Sequence, residues 1–492
     1  MSVDLSGGLG AVALFAVPGY GLTELFPGLR RLPPPRRAAY GYLLGVTAVA
    51  GGLYALSHVC GVPLRRPAVW AVAAAPALAG LAAALVRRLR RQGRGTPRPA
   101  PRRPETWLPF IALLARAACV LAAAWICAGV FAEAMINPPH DWDGRMTWCT
   151  QARYVRAAGT VDAGVLRDPR WFVTHPQYPL LLPVAQAAAL EAFGADPDVL
   201  LPRDIYAAFL PVLLLVIYDG ARRGAGRTAA ALAALAAAAA PFLVHGEGGA
   251  ESSYSDLPLA CFYGAALVLL LRPRPRPSSG LAAGLLLAAA VLTKNEGSIL
   301  AVLALALGWR GGRAGVRRFA AAAVPVVLAL ALLASWRAGI PNRQDESYAD
   351  LVRTGHLWPG ILTNAAAFAP VIADKMNRLL HWAGFWWMAP VVLIAGRRAL
   401  RHPRCRRLLA GAAGPPAIAW IAYSIHPRPV SLAAVTWERF LMQGAAPLLV
   451  ALALALAAVG RQLAGWRRRS PVPQRDEMAG ASPCPEARGS SG

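Results

Sequence analysis

The sequence predicts an all-α membrane protein that crosses the bilayer many times. Of its 492 residues, 56% are hydrophobic and 15% are charged, whereas soluble domains average about 25% charged residues. Apolar runs recur along the chain, for example at residues 40–60, 107–131 and 438–460. Several of them approach the roughly 20 residues that a helix needs to cross a bilayer. Because hydrocarbon offers backbone amides no partner, each run is expected to be a helix.

The placement of basic residues predicts how these helices are oriented. Arginine clusters lie between apolar runs or directly after the last one, at residues 28–39, 87–105, 222–227, 272–276, 310–318, 397–407 and 461–469. This is the positive-inside pattern, in which basic loops face the cytoplasm. The net charge of +26 therefore predicts membrane topology and a weak attraction to anionic membrane lipids, and nucleic acid is not a predicted partner.

Composition also indicates the compartment. Only two lysines accompany 49 arginines, and alanine is abundant, which suggests a GC-rich genome and the inner membrane of a bacterium. The seven cysteines include no C-x-x-C pair, so neither a disulfide framework nor a zinc motif is expected. The first apolar run lacks the basic flank of a signal peptide and is expected to be retained as a helix.

Placing every basic cluster inside gives a path of about 13 spans. The predicted spans are residues 9–27, 40–60, 68–86, 107–131, 202–219, 228–244, 256–271, 280–292, 298–309, 319–336, 383–396, 409–424 and 438–460. The spans 280–292 and 298–309 are too short for both to cross fully. The apolar stretch 179–195, which contains Gln186 and Glu191, is predicted to lie as a helix at the outer surface, because crossing would reverse the orientation.

Four regions follow from this path. They are residues 1–105, an N-terminal three-helix membrane segment with a basic cytoplasmic loop; 106–310, a candidate catalytic core with the outer loop 132–201; 311–465, C-terminal transmembrane helices with the outer loop 337–382; and 466–492, a disordered cytoplasmic tail. The first outer loop is long and acidic for so apolar a chain, which favours a functional role.

Five polar clusters fall on the predicted outer side, and the first two lie in that loop. Residues 140–144 read His-Asp-Trp-Asp-Gly. Their carboxylates, Asp141 and Asp143, can accept a proton from a hydroxyl or hold a metal ion, and a solvated loop with a chance D-x-D is the simpler alternative. His175 and Tyr178 can hydrogen-bond a polar ligand, or can belong to a structural turn.

The other three clusters lie at the ends of predicted spans. His245 and Glu247 form an H-x-E pair in an acidic connection, where charges near the membrane are costly unless they are paired or used. Lys294 and Glu296 either act on a substrate or form an ion pair that closes a tight turn. Arg439 either clamps a phosphate with its planar guanidinium or extends to lipid headgroups.

In this order and on one side, the clusters resemble the GT-C superfamily of glycosyltransferases. The closest resemblance is to its bacterial branch, similar to family 39 and the dolichyl-phosphate-mannose protein mannosyltransferases. The matching elements are Trp142-Asp143 with Trp148 and Gln151-Ala152, the stretch from His175 to Pro183, Tyr254 with Asp256, Pro258 and Ala260, and Thr-Lys-Asn-Glu-Gly at 293–297. The resemblance covers residues 107–310 well and omits the first three spans. Gln151 stands where the family usually has lysine.

The resemblance implies a GT-C fold and an inverting sugar transfer on the extracytoplasmic side. The donor would be a polyprenyl-phosphate-linked sugar, and the acceptor a lipid, glycan or protein. By resemblance, Asp143 is the catalytic base, with Asp141 as its rival. Asp256 and Glu251 orient a substrate, and Tyr254 belongs to the same substrate-binding element. Lys294 and Arg439 meet the lipid phosphate, Glu296 holds Lys294, and His175 and Tyr178 line the sugar pocket. No cofactor is implied with certainty, and a divalent metal is compatible with the family.

A physical argument favours the same class. Nucleotide-sugars are made in the cytosol, whereas the acidic motifs lie outside, so the sugar must arrive on a lipid. Phosphate is a good leaving group, so one base and cationic stabilisation suffice.

Two alternatives remain open at this stage. A secondary transporter shares the many spans and buried charges, although the long outer loop and the lack of repeat symmetry speak against it. A lipid-linked oligosaccharide ligase or polymerase would use the same type of donor with a larger sugar.

Overall fold

The computed structural model describes residues 5–91, 108–139, 141–194, 203–273, 276–341 and 357–469. These residues form helices and connecting turns, with no β-strand among them, which confirms the all-α prediction. His140, the middle of the predicted loop 337–382 and the part of the predicted tail beyond residue 469 lie outside the described residues.

The described part contains fifteen helices of eight or more residues. They are α1 Leu5–Leu22, α2 Pro34–Cys60, α3 Arg66–Arg91, α4 Leu108–Ile136, α5 Thr150–Ala158, α6 Leu181–Phe193, α7 Phe209–Ala238, α8 Asp256–Leu270, α9 Pro277–Thr293, α10 Glu296–Gly308, α11 Arg313–Arg337, α12 Leu357–Asn377, α13 Phe385–Ala395, α14 Pro403–Ile425 and α15 Pro429–Arg469.

The structure does not confirm the predicted number of membrane spans. Among the described helices, eight are long and apolar enough to cross a membrane, so the count of thirteen is not confirmed. Four predicted spans are the shorter helices α8, α9, α10 and α13. Two more, 202–219 and 228–244, lie largely within one helical stretch that is broken only at Gly226, where φ is 87°. Glycine permits this backbone conformation without a steric penalty, so the predicted basic loop is reduced to a tight break.

The predicted outer loop 337–382 contains a helix instead of an extended connection. Helix α12 packs against α14 and α15. Phe368 and Ile372 are buried, and their i, i+4 spacing places them on one face of that helix. The predicted outer loop is therefore helical over residues 357–377.

The stretch 179–195, predicted to be a helix at the outer membrane surface, contains helix α6. Nearly all residues of α6 are buried within the protein, and its position relative to the membrane stays a prediction. The two polar residues that it carries have internal partners. Gln186 donates to the hydroxyl of Tyr206 at 2.5 Å, and Glu191 accepts from Arg156 at 3.3 Å. Because these polar groups are satisfied, the helix can be enclosed.

The N-terminal helices are joined closely to the rest of the protein. A Cβ atom on Gly45 would lie 1.8 Å from the carbonyl oxygen of Phe15, and one on Gly19 would lie 1.8 Å from the carbonyl oxygen of Gly41. Helices α1 and α2 are therefore in backbone contact, as small residues permit in membrane helices. Helix α2 packs in turn against α6, α7 and α9.

Candidate active site

A buried carboxylate, Asp256, is the centre of an ion network. Asp256 begins α8, and its side chain is completely excluded from solvent. Lys294 Nζ donates to Oδ1 at 2.7 Å, and Arg439 Nε donates to Oδ2 at 2.9 Å. The amide of Gln443, one turn after Arg439 on α15, lies 3.4 Å from Oδ1. Two cations from distant parts of the chain therefore share one carboxylate.

The second carboxylate of the network, Asp143, is open to solvent. Arg439 Nη1 donates to its Oδ2 at 3.1 Å, and the Asp143 side chain is 27% exposed. The Asp143 backbone N–H donates to the Tyr254 hydroxyl at 3.1 Å. The Arg439 guanidinium also stacks over the Tyr254 ring at 4.9 Å. Arg439 thus connects a closed carboxylate, Asp256, with an accessible one.

The break between α9 and α10 brings Lys294 into the network. Lys294 has an extended backbone (φ −158°, ψ 156°), which ends α9. A Cβ on Gly297 would lie 1.9 Å from the Ala290 carbonyl oxygen, so glycine is required for this close turn. Lys294 Nζ lies 3.3 Å from a Glu296 oxygen. The expected Lys294–Glu296 pair is present, but the shorter contact of the lysine is with Asp256.

An aromatic wall formed by Trp148, His175 and Tyr178 stands beside these charges. Tyr178 stacks on Trp148 at 5.5 Å and on His175 at 5.0 Å between ring centroids. The buried amide of Gln151 donates to the carbonyl oxygens of Thr174 and His175, both at 2.9 Å. His175 adopts a left-handed backbone, with φ 48°. Gln151 therefore holds the turn that orients this wall, in the position where the resemblance expected a lysine.

Glu251 does not join the network. Its carboxylate lies 2.7 Å from Nδ1 of His245, and its backbone carbonyl accepts from Arg203. The guanidinium of Arg203 also binds Glu133 at 2.9 Å. These contacts fasten the segment before α8 to the end of α4, so the Glu251 side chain serves the scaffold in this arrangement.

Further acidic residues lie around Asp143. Partial burial raises the pKa of the Glu247 carboxyl, and the negative charges of Asp143 and Asp141 act in the same direction while Arg439 opposes them. The pKa of the Tyr254 hydroxyl is also raised, first by burial and then by Asp143. Tyr254 therefore stays protonated at neutral pH.

Among the described residues, no group of three or more His, Cys, Asp or Glu side chains is placed to hold a metal ion.

A second ion cluster adjoins the network and was missed in the sequence. Glu438, which precedes Arg439, is buried, and its carboxylate lies 3.0 Å from both Lys375 Nζ and His381 Nδ1. The scarcity of lysine was the one signal in the sequence for this second cluster. Both lysines of the chain pair with carboxylates at or next to the candidate active site, but the sequence analysis assigned only Lys294 to that site.

One family model matches a part of the chain that contains two residues of the network. Residues 179–336 match the family model described as dolichyl-phosphate-mannose-protein mannosyltransferase. The match covers less than half of the chain, so the similarity to this family holds for that segment. The matched segment includes Asp256 and Lys294, whereas Asp143 and Arg439 lie outside it. The ion network therefore joins residues inside and outside the matched segment.

One solved structure and the curated proteins complete the comparison. The chain is similar to the oligosaccharyltransferase AglB from the archaeon Archaeoglobus fulgidus, whose structure was determined with an inhibitory peptide and a dolichol-phosphate. The two chains are 16% identical with a TM-score of 0.43 over 78% of this chain and 53% of the archaeal chain. The match thus spans about half the length of the archaeal protein. No curated protein matches the chain.

Proposed function

We propose that this protein is a membrane glycosyltransferase that moves a sugar, with inversion, from a polyprenyl-phosphate-linked donor to an extracytoplasmic acceptor. The observation that carries the proposal is the pairing of two carboxylates through Arg439, with Asp143 accessible and Asp256 enclosed. The family match of residues 179–336 supports the class of donor.

Asp143 is the catalytic base in this proposal. A base must reach the acceptor hydroxyl, and Asp143 is the network carboxylate that Arg439 contacts and that solvent reaches. The acceptor oxygen attacks the anomeric carbon while its proton passes to Asp143. The bond between that carbon and the phosphate oxygen breaks, and the polyprenyl phosphate leaves with the electron pair. Attack opposite to the leaving group inverts the anomeric configuration.

The ion network links proton uptake to stabilisation of the leaving group. Before transfer, the charge of Arg439 is balanced by Asp143 and Asp256. When Asp143 takes up the proton it becomes neutral, so it no longer offsets the positive charge of Arg439 as the phosphate becomes more negative. Lys294 supports this change because it already offsets Asp256. Preorganised charge of this kind is an effective form of catalysis.

Lys294 and Arg439 therefore have a different immediate role from the one the resemblance implies. Both are buried and bound to Asp256, so they act on the phosphate through their charge while they keep these partners. Tyr178 and His175, which form the aromatic wall, are proposed to border the sugar.

The test replaces each loop carboxylate by its amide in the purified full-length protein. Asp143→Asn keeps the shape but cannot accept a proton, so transfer from a panel of polyprenyl-phosphate sugars should fall about 10²–10⁴-fold. Asp141→Asn is the matched control and should retain most activity. Donor binding measured by fluorescence quenching should persist in both variants.

Two outcomes would contradict these assignments. An active Asp143→Asn protein with an inactive Asp141→Asn protein would assign the base to Asp141. Full activity in both variants would remove this loop from the chemistry.

A further inference from the structure

A basic cavity lies at the opposite end of the helices that carry the candidate active site. Arg461 follows Arg439 by about six turns of α15. The cavity has a volume of about 430 Å³ and is lined by residues of α7, α14 and α15 and of the segment before α14. Its ionisable lining consists of four arginines, one histidine and one cysteine: Arg223, Arg398, Arg404, Arg461, His402 and Cys405. None of the described residues that line it is a carboxylate.

Arg404 forms the enclosed part of this cavity and makes no ion pair with a carboxylate of the described residues. Its side chain is 8% exposed, and Nη2 donates to the Gly220 carbonyl oxygen at 2.7 Å. Its Nε is buried without a hydrogen-bond partner within the described part of the chain. A buried guanidinium is costly unless an anion compensates its charge. The Nε–H of Arg404 is therefore a buried donor at a positively charged cavity, where an anion is a suitable ligand.

The buried carboxylate in this region is already committed elsewhere. Asp219 accepts from Arg36 at 2.8 Å, from Arg272 at 2.9 Å and from the Tyr40 hydroxyl at 3.2 Å. Asp219 is 1% exposed, so it does not line the cavity. An adjoining cavity of about 460 Å³ is lined by Arg223, Arg272 and further described residues, none of which is a carboxylate. Among the residues that line the two cavities, positive charge therefore exceeds negative charge.

We propose that the cavity binds a phosphate group, carried either by an anionic phospholipid or by a soluble phosphorylated compound. Guanidinium groups match phosphate oxygens with paired hydrogen bonds. Arg404 supplies the buried contact, and the exposed arginines Arg223, Arg398 and Arg461 surround the entrance. This proposal is independent of the proposed transfer activity, since the candidate active site lies at the other ends of the helices.

The test compares two double variants of the purified full-length protein in detergent. Arg398→Gln/Arg461→Gln removes two charges from the cavity. Arg317→Gln/Arg406→Gln removes two exposed charges from basic clusters that do not line it and serves as the control. The unfolding temperature is followed by tryptophan fluorescence during titration with phosphatidylglycerol or phosphatidylcholine, and separately with inorganic phosphate or chloride at equal ionic strength.

Phosphatidylglycerol, inorganic phosphate or both should stabilise the wild type and the control. In the cavity variant the apparent affinity should fall at least about tenfold, as expected for the loss of charge-assisted hydrogen bonds. Stabilisation by phosphatidylglycerol alone would identify a lipid ligand, and stabilisation by phosphate would identify a soluble one. Equal responses of the two variants, or no response of the wild type to either anion, would overturn the proposal.

Discussion

Replacement of Asp256 by asparagine should destabilise the protein strongly. The carboxylate is fully enclosed and accepts from Lys294 at 2.7 Å and from Arg439 at 2.9 Å. Removal of one partner from a buried ion pair costs about 3–5 kcal/mol. Asparagine retains one acceptor oxygen, and each cation keeps one other carboxylate, Glu296 or Asp143. The expected loss in unfolding free energy is therefore about 3 kcal/mol, at the lower end of that range.

A second substitution distinguishes charge imbalance from general disruption. Lys294→Met removes a cation whose nearest carboxylate has been neutralised, so in the Asp256→Asn background it should recover about 1–2 kcal/mol, a coupling typical of residues in contact. Asp162→Asn serves as a control on a partly exposed carboxylate that pairs with His58 and Arg167. It should cost less than about 1 kcal/mol, as exposed ion pairs do.

The assay is reversible unfolding in mixed micelles, with sodium dodecyl sulfate as denaturant and tryptophan fluorescence as the signal. Sugar transfer by the folded fraction is measured in parallel. An Asp256→Asn protein within about 1 kcal/mol of the wild type would refute the view that this carboxylate holds the two cations in place. So would a Lys294→Met substitution that destabilises both backgrounds equally.

Three further substitutions test other parts of the structure. Arg439→Lys provides one point charge that cannot bridge both carboxylates, so transfer should fall at least about tenfold in the assay used for Asp143; unchanged transfer would show that bridging is unnecessary. Cys60 is exposed at the end of α2 and should react with an impermeant maleimide on intact cells. The labelling signal should be lost in Cys60→Ser, and labelling that survives this change would contradict the predicted orientation. Gly45→Val places side-chain atoms against the α1 backbone and should lower the unfolding temperature by several degrees, whereas Gly129→Val, where nothing lies within 4 Å of the added Cβ, should not.

Much of the candidate site could be predicted because the basic loops placed its clusters on one side of the membrane. Asp143, Tyr254, Lys294 and Arg439 come from four separate segments, and the structure brings them around Asp256. Segments that end on the same side of a membrane lie near one another. Membrane topology and the order of the motifs were therefore sufficient to predict that these segments come together.

The pairing of individual charges could not be predicted in the same way. Lys294 is two residues from Glu296, and sequence spacing favoured that pair, but Asp256 is nearer in the fold. The distance depends on how α8 packs against α9 and α15, which linear spacing does not show. Glu251 illustrates the reverse case, because a residue near Asp256 in sequence is bound to His245.

The helix at residues 357–377 lies within the segment that the sequence analysis predicted as an outer loop. Asp374 and Lys375 are charged residues near its end. In the structure, Lys375 is paired with Glu438, so its charge is satisfied by a neighbouring helix. A charge within a helix is visible in the sequence, whereas its partner is not.

The length of α15 has a consequence for the lipid environment of the protein. About 33 Å of helix separates Arg439 from Arg461, at about 1.5 Å per residue, which is close to the roughly 30 Å thickness of bilayer hydrocarbon. Acyl chains of unsuitable length are accommodated partly by helix tilt, and tilt of α15 displaces Arg439 from Asp256 on α8. Sugar transfer should therefore vary with acyl-chain length in reconstituted bilayers and be fastest where the hydrocarbon thickness matches this helix.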